Sequence, residues 1–112
     1  MELKEFEEIF STYLKELEIY IEKEEIKQFY NYMRLLLEWN EKINLTAITE
    51  PKEVIIKHFI DSLTISKYIP QGATLVDMGT GAGFPGIPVK IYRKDVKITL
   101  VDSLNKRIRN IY

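Results

Sequence analysis

The order of residues in Thr74-Leu75-Val76-Asp77-Met78-Gly79-Thr80-Gly81-Ala82-Gly83-Phe84-Pro85-Gly86-Ile87-Pro88 leaves few folds open. A short apolar run ends in an acid, a glycine-spaced loop follows, and the segment Ile87–Arg93 is compatible with a helix. Strand, glycine turn and helix is the arrangement with which α/β proteins hold a nucleotide at the carboxyl end of a parallel strand. Gly79, Gly81, Gly83 and Gly86 put four glycines within eight residues. Each carries an entropic cost that a simple connection does not require, whereas a ligand approaching the backbone does require missing side chains. Pro85 or Pro88 suits the first helical turn, where the absent N–H has no intrahelical partner to lose.

Gly81-Ala82-Gly83-Phe84-Pro85-Gly86 reads G-x-G-x-x-G, the dinucleotide fingerprint, which alone is a weak signal. Asp77, two residues before the first glycine, shifts the reading. A carboxylate there attracts a ligand with a cationic amino-acid tail and repels a pyrophosphate. S-adenosyl-L-methionine has such a tail and no phosphate. On this reading Asp77 and the backbone of Gly79, Gly81 and Gly83 hold the methionine end. A nicotinamide-dependent oxidoreductase is the alternative enzyme, and a ligand-free glycine turn is the bland one. A second strand is predicted over Lys97–Val101, ending at Asp102, where a carboxylate beside the glycine loop accepts hydrogen bonds from a ribose diol. Ser103 then caps a helix predicted over Leu104–Arg109.

The 112 residues allow one domain, or a small domain and part of another. No apolar run approaches the roughly 18 residues of a membrane span, and the charged N-terminus has no signal-peptide core. The expected setting is the cytoplasm, with no membrane partner. Zero cysteines and one histidine exclude a thiolate site and an all-histidine zinc site within a single chain, so no metal is expected. The net charge of −1 hides an asymmetry: residues 1–66 carry 8 basic and 14 acidic side chains, residues 67–112 carry 8 basic and 3 acidic. A basic half that includes Lys106, Arg107 and Arg109 beside the ligand loop favours a polyanionic partner; solvated surface charges are an equal alternative.

Upstream, Leu3, Phe6, Phe10, Tyr13, Leu14 and Leu17 recur at three- and four-residue steps, predicting a helix over residues 2–20. A second is predicted from Lys23 to Asn40, with Ile26, Phe29, Tyr30, Met33, Leu36, Leu37 and Asn40 on its inner face. Thr49 is the expected N-cap of a third helix, with Pro51 in its first turn. That helix should turn Val54, Ile55, Phe59, Ile60 and Leu63 inward and carry Lys57, His58, Asp61 and Ser62 on its other face. The chain therefore divides into a helical region, 1–66, and the start of a ligand-binding domain, 67–112.

Four blocks together carry a resemblance: Leu36-Leu37-Glu38-Trp39-Asn40-Glu41-Lys42-Ile43-Asn44-Leu45-Thr46, His58-Phe59-Ile60-Asp61-Ser62, Val76 to Pro88, and Val101-Asp102-Ser103-Leu104-Asn105-Lys106-Arg107. In register from about Tyr32 onward, they resemble the RsmG family, also called GidB. That resemblance implies transfer of a methyl group from S-adenosyl-L-methionine to the N7 of a guanine in 16S ribosomal RNA of the small subunit. It implies an α/β fold in which a helical N-terminal region precedes the first β-α-β unit of a Rossmann-like class I methyltransferase. It adds Gly79 and Phe84 as cofactor contacts, and Asn44, His58 and Asp61 as candidates for lining the site or orienting RNA. No general base is demanded, because guanine N7 attacks with a lone pair and loses no proton; alignment and water exclusion supply most of the rate. Members of the family are about twice as long, and the class I sheet has about seven strands, so the chain is expected to be truncated after two. It is then inactive alone, its outer strand edge unpaired, and it self-associates through the incomplete sheet or is partly molten beyond residue 72. A non-catalytic helical module or truncated remnant is the alternative outside the enzymes.

Overall fold

The computed structural model describes residues 1–43, 50–78, 86–102 and 107–111. Two compact units emerge, Met1–Ile60 and Asp61–Tyr112.

In the first unit, helix α1 spans Leu3–Glu16 and buries Phe6, Phe10 and Leu14. It ends four residues before the predicted limit. Glu18 adopts φ 57°, its N–H donates to the Lys15 carbonyl at 3.1 Å, and Ile19 N–H donates to the Leu14 carbonyl at 3.0 Å. These are the two bonds of a left-handed helix terminus, a position that glycine normally fills. Helix α2 spans Lys23–Ile43 and buries Ile26, Phe29, Met33, Leu36 and Asn40, while Tyr30 and Leu37, expected on the same face, are half-buried at its margin. On its outer side Leu35 and Trp39, four residues apart, are about half exposed, and Lys42 Nζ lies 5.2 Å from the centre of the Trp39 ring.

A short α3, Pro51–Glu53, starts from Glu50 in extended conformation, with Pro51 at its first position. The cap is thus one residue later than expected from Thr49, which lies outside the described residues. Proline excludes the helical conformation from the residue before it, so Glu50 must be the half-in residue, and no side chain caps it. Val54–Ile60 continues as a π-helix that buries Val54, Ile55 and Phe59. With bonds from i to i+5, Val54 and Phe59 come into line where an α-helix would splay them.

Phe59 completes an aromatic core. Phe6, Phe10, Phe29 and Phe59 are fully buried; Phe10–Phe29 and Phe29–Phe59 centroids lie 5.0 and 5.1 Å apart at tilted or edge geometry. Tyr32 stacks on Phe59 at 5.8 Å. Burial contributes about 2–3 kcal/mol per ring, and the tilted geometry adds to it because ring edges are positive and faces negative.

The second unit opens with α4, Asp61–Ser66, which buries Ser62, Leu63 and Ser66. Ser62 therefore does not share the outer face expected for it: beside Leu63 and four residues before Ser66, it falls on the buried stripe of α4. Strand β1 is Thr74–Met78, helix α5 is Gly86–Tyr92 and strand β2 is Lys97–Asp102. β1 and β2 pair in parallel from Thr74↔Lys97 to Met78↔Val101, the β-α-β unit that the sequence predicts. Val89, Val96 and Ile98 form its core, with Ile69 and Leu75 packed against them.

The last element corrects two expectations. The helix expected over Leu104–Arg109 begins outside the described residues, and Arg107–Ile111 forms strand β3, antiparallel to β2 from Ile98↔Ile111 to Asp102↔Arg107. The sheet order is β1-β2-β3, so the far edge of β2 is paired rather than open. Basic and apolar residues alternate in Arg107-Ile108-Arg109, a period of two that suits a strand, and pairing satisfies an edge that would otherwise present bare N–H and C=O groups. The fold is α/β, with a helical first unit and a small mixed sheet.

Candidate functional site

The parallel register decides what lies together. Asp77 pairs with Leu100 across the sheet, and Asp102 ends β2 two residues beyond Leu100. With strands about 4.8 Å apart and a rise of about 3.3 Å per residue, the two acidic positions are about 8 Å apart along the backbone. Both stand at the carboxyl ends of neighbouring parallel strands, where open α/β sheets take their ligands. Leu75, Ile98 and Val89 fix this because their apolar side chains seat the strands under α5. α5 begins at Gly86, which is buried, as is Pro88 in its first turn.

The other sites predicted from sequence fall out unevenly. Gly79, Gly81, Gly83, Phe84, Asn44 and Lys106 lie outside the described residues. Arg107 and Arg109 are placed on β3, at register positions opposite Asp102 and Leu100. His58 sits half-buried in the π-helical stretch of the first unit, and Asp61 is the exposed first residue of α4 in the second. Among the described residues no three His, Asp or Glu side chains gather as a metal would require, and no helix is long and apolar enough to cross a membrane.

At the opposite end of the unit one side chain holds three turns together. Arg93 follows α5, and its guanidinium makes five hydrogen bonds, one for each N–H. Nε and Nη2 fork onto the Asp95 carboxylate at 2.8 Å each. Nη1 donates to the carbonyls of Ser66 at 2.9 Å and Ile69 at 3.0 Å, and Nη2 also donates to Pro70 at 3.2 Å. Asp95 in turn accepts the Gly72 N–H at 2.8 Å, where Gly72 has φ 71°. The Arg93 fork, then the Gly72 amide, hold the Asp95 carboxyl well below the usual carboxylate range, and the same fork raises the pKa of Arg93. Beside it the buried Lys90 donates to the Lys94 and Val96 carbonyls at 3.0 and 2.6 Å, closing the end of α5. Sequence reasoning counted Arg93, Lys90 and Asp95 only as charges. The available signal was their position, two cations and an acid bracketing the end of a helix.

Comparison with known proteins follows the same residues. The family model GidB, described as rRNA small subunit methyltransferase G, matches residues 25–111. A protein of Desulforamulus reducens named ribosomal RNA small subunit methyltransferase G is 58% identical over 96 residues, covering 84% of this chain and 40% of the relative. Proteins of the same name from Alkaliphilus metalliredigens and Clostridium botulinum are 54% and 51% identical, over 84% and 93% of this chain. The chain spans 40 to 44% of the length of these relatives. With most of its residues inside the family model and identities above one half, the chain belongs to the GidB family of rRNA small subunit methyltransferases.

Proposed function

We propose that this chain supplies the methionine- and ribose-binding half of an S-adenosyl-L-methionine-dependent methyltransferase with a Rossmann-like class I fold. Its proposed target is the N7 of a guanine in 16S ribosomal RNA of the small subunit, in the cytoplasm. The observation that supports this best is the parallel β1–α5–β2 unit with Asp77 and Asp102 at adjacent strand ends, inside the residues that match the family. Asp77 and the backbone at Gly79, Gly81 and Gly83 hold the amino-acid end of the cofactor, with Phe84 against it, and Asp102 takes the ribose hydroxyls. The cofactor supplies an electrophilic methyl carbon on a sulfonium. The chain's own residues bind it, aim it and keep water away, which suffices for a nucleophile that gives up no proton.

Lys106, Arg107 and Arg109 are assigned to phosphates, and Asn44, His58 and Asp61 to orienting the RNA. The helical region 1–66 and the cofactor domain 67–112 divide these tasks. Calorimetric titration with S-adenosyl-L-methionine and with NAD separates this reading from the oxidoreductase. Incubating chain and labelled cofactor with small-subunit RNA, then cleaving at 7-methylguanine by reduction and aniline, tests the target atom. Binding of NAD alone, or label at an atom other than N7, would refute the assignment.

A further inference from the structure

α4 forms the last six residues of a helical run that starts at Pro51, and it is the C-terminal end of that run that needs partners. Its last carbonyls have no partner within the helix. Ser66 Oγ donates to the Leu63 carbonyl, and the carbonyls of Ser66 and, just beyond, Ile69 and Pro70 all accept from Arg93. α4 also packs on α5. Arg93 thus joins the C-terminal ends of two helices that lie side by side, so their first residues, Asp61 and Gly86, stand at the other end. That is the end at which β1 finishes and α5 begins.

We propose that Arg93 is a positioning residue: its guanidinium, braced by Asp95, clamps α4 to the β1–α5–β2 unit and so sets where Asp61 stands relative to the cofactor end. This rests on the methyltransferase reading for its purpose, though the clamp itself rests on the hydrogen bonds alone. Asp61 lies about 8 Å of helix from Ser66, too far for any direct contact with the guanidinium across α4, so the influence runs through the helix as a lever. The planar fork matters more than the charge. A lysine at position 93 reaches one or two of these acceptors and leaves the rest to water, because an ammonium is a point donor without the guanidinium plane.

The test uses the whole chain with Arg93→Lys and Arg93→Met, and Asp95→Asn as a milder variant that removes the brace while leaving the three carbonyl bonds. Hydrogen exchange followed by mass spectrometry compares the peptide over 61–66 with those over β1 and β2. The expected result is exchange about tenfold faster in α4 for both Arg93 variants, a smaller rise for Asp95→Asn, and strand protection unchanged. The carboxyl carbon resonance of Asp61 should shift in Arg93→Lys, although no atom near Asp61 has been altered. Equal loss of protection in α4 and in both strands would reduce Arg93 to a general stabiliser, and unaltered α4 protection with an unmoved Asp61 resonance would overturn the proposal. Titration with S-adenosyl-L-methionine keeps the two ideas apart: no binding by the unmodified chain counts against the proposed function, while the exchange data still decide the clamp.

Discussion

Glu18 shows what a single backbone angle can cost. Its φ of 57° serves the two closing bonds of α1, yet a side chain in the left-handed region loses about 1 kcal/mol that glycine does not. Glu18→Gly is expected to raise stability by a few tenths of a kcal/mol in urea denaturation, the gain at φ exceeding the added freedom of the unfolded chain. Gly72 is the mirror case: a Cβ there meets nothing within 4 Å, so only its φ of 71° reserves it for glycine. At the proposed site Asp102→Ala, in a context that binds cofactor, should weaken S-adenosyl-L-methionine by about 1–3 kcal/mol, the loss of a partner for buried hydroxyls. Unchanged affinity in calorimetry would remove Asp102 from the site. The positions of Asp77 and Asp102 at neighbouring strand ends were legible because the apolar runs before them read as strands. Glu18 was not, since nothing in its identity announces a positive φ.

Among the elements, those that bury a regular stripe were legible and those decided by distant partners were not. Phe6, Phe10 and Leu14, or Ile26, Phe29 and Met33, announce helices at three- and four-residue steps, and Ile98 with Leu75 announces strands. Val54, Ile55 and Phe59 fit an α or a π stripe equally, so the wider turn over Val54–Ile60 was hidden. Arg107–Ile111 carries a cap signal upstream and a strand period within, and the edge of β2 settled the contest. The turns bound by Arg93 make their own prediction. Asp95 has a depressed pKa in the fold, so its contribution is present above the unfolded carboxylate value of 3.8 and is lost as pH falls through the lower folded value. Thermal melts from pH 5 downward should therefore fall more steeply in the unmodified chain than in Asp95→Asn, the two curves converging at the acid end. Parallel curves would mean that the fork contributes nothing to the acid limb.

For the molecule as a whole, β1 is an end strand of the sheet order, and Val76 on it is 60% exposed. Among the described residues no strand lies beside that edge, and an edge with an exposed β-branched residue invites pairing with another copy. Sedimentation velocity should show concentration-dependent self-association that Val76→Lys reduces; a monomer at all concentrations would show the edge to be protected. Among the described residues, the four fully buried phenylalanines lie in the first unit and the single tryptophan lies at the surface. Trp39 is 51% exposed with an ammonium beside its ring. Its emission is accordingly expected to be red-shifted and readily quenched by acrylamide in the native state, changing little on denaturation. An optical melt followed at that wavelength would register the end of α2 and pass over the collapse of the phenylalanine cluster, which near-ultraviolet dichroism would record.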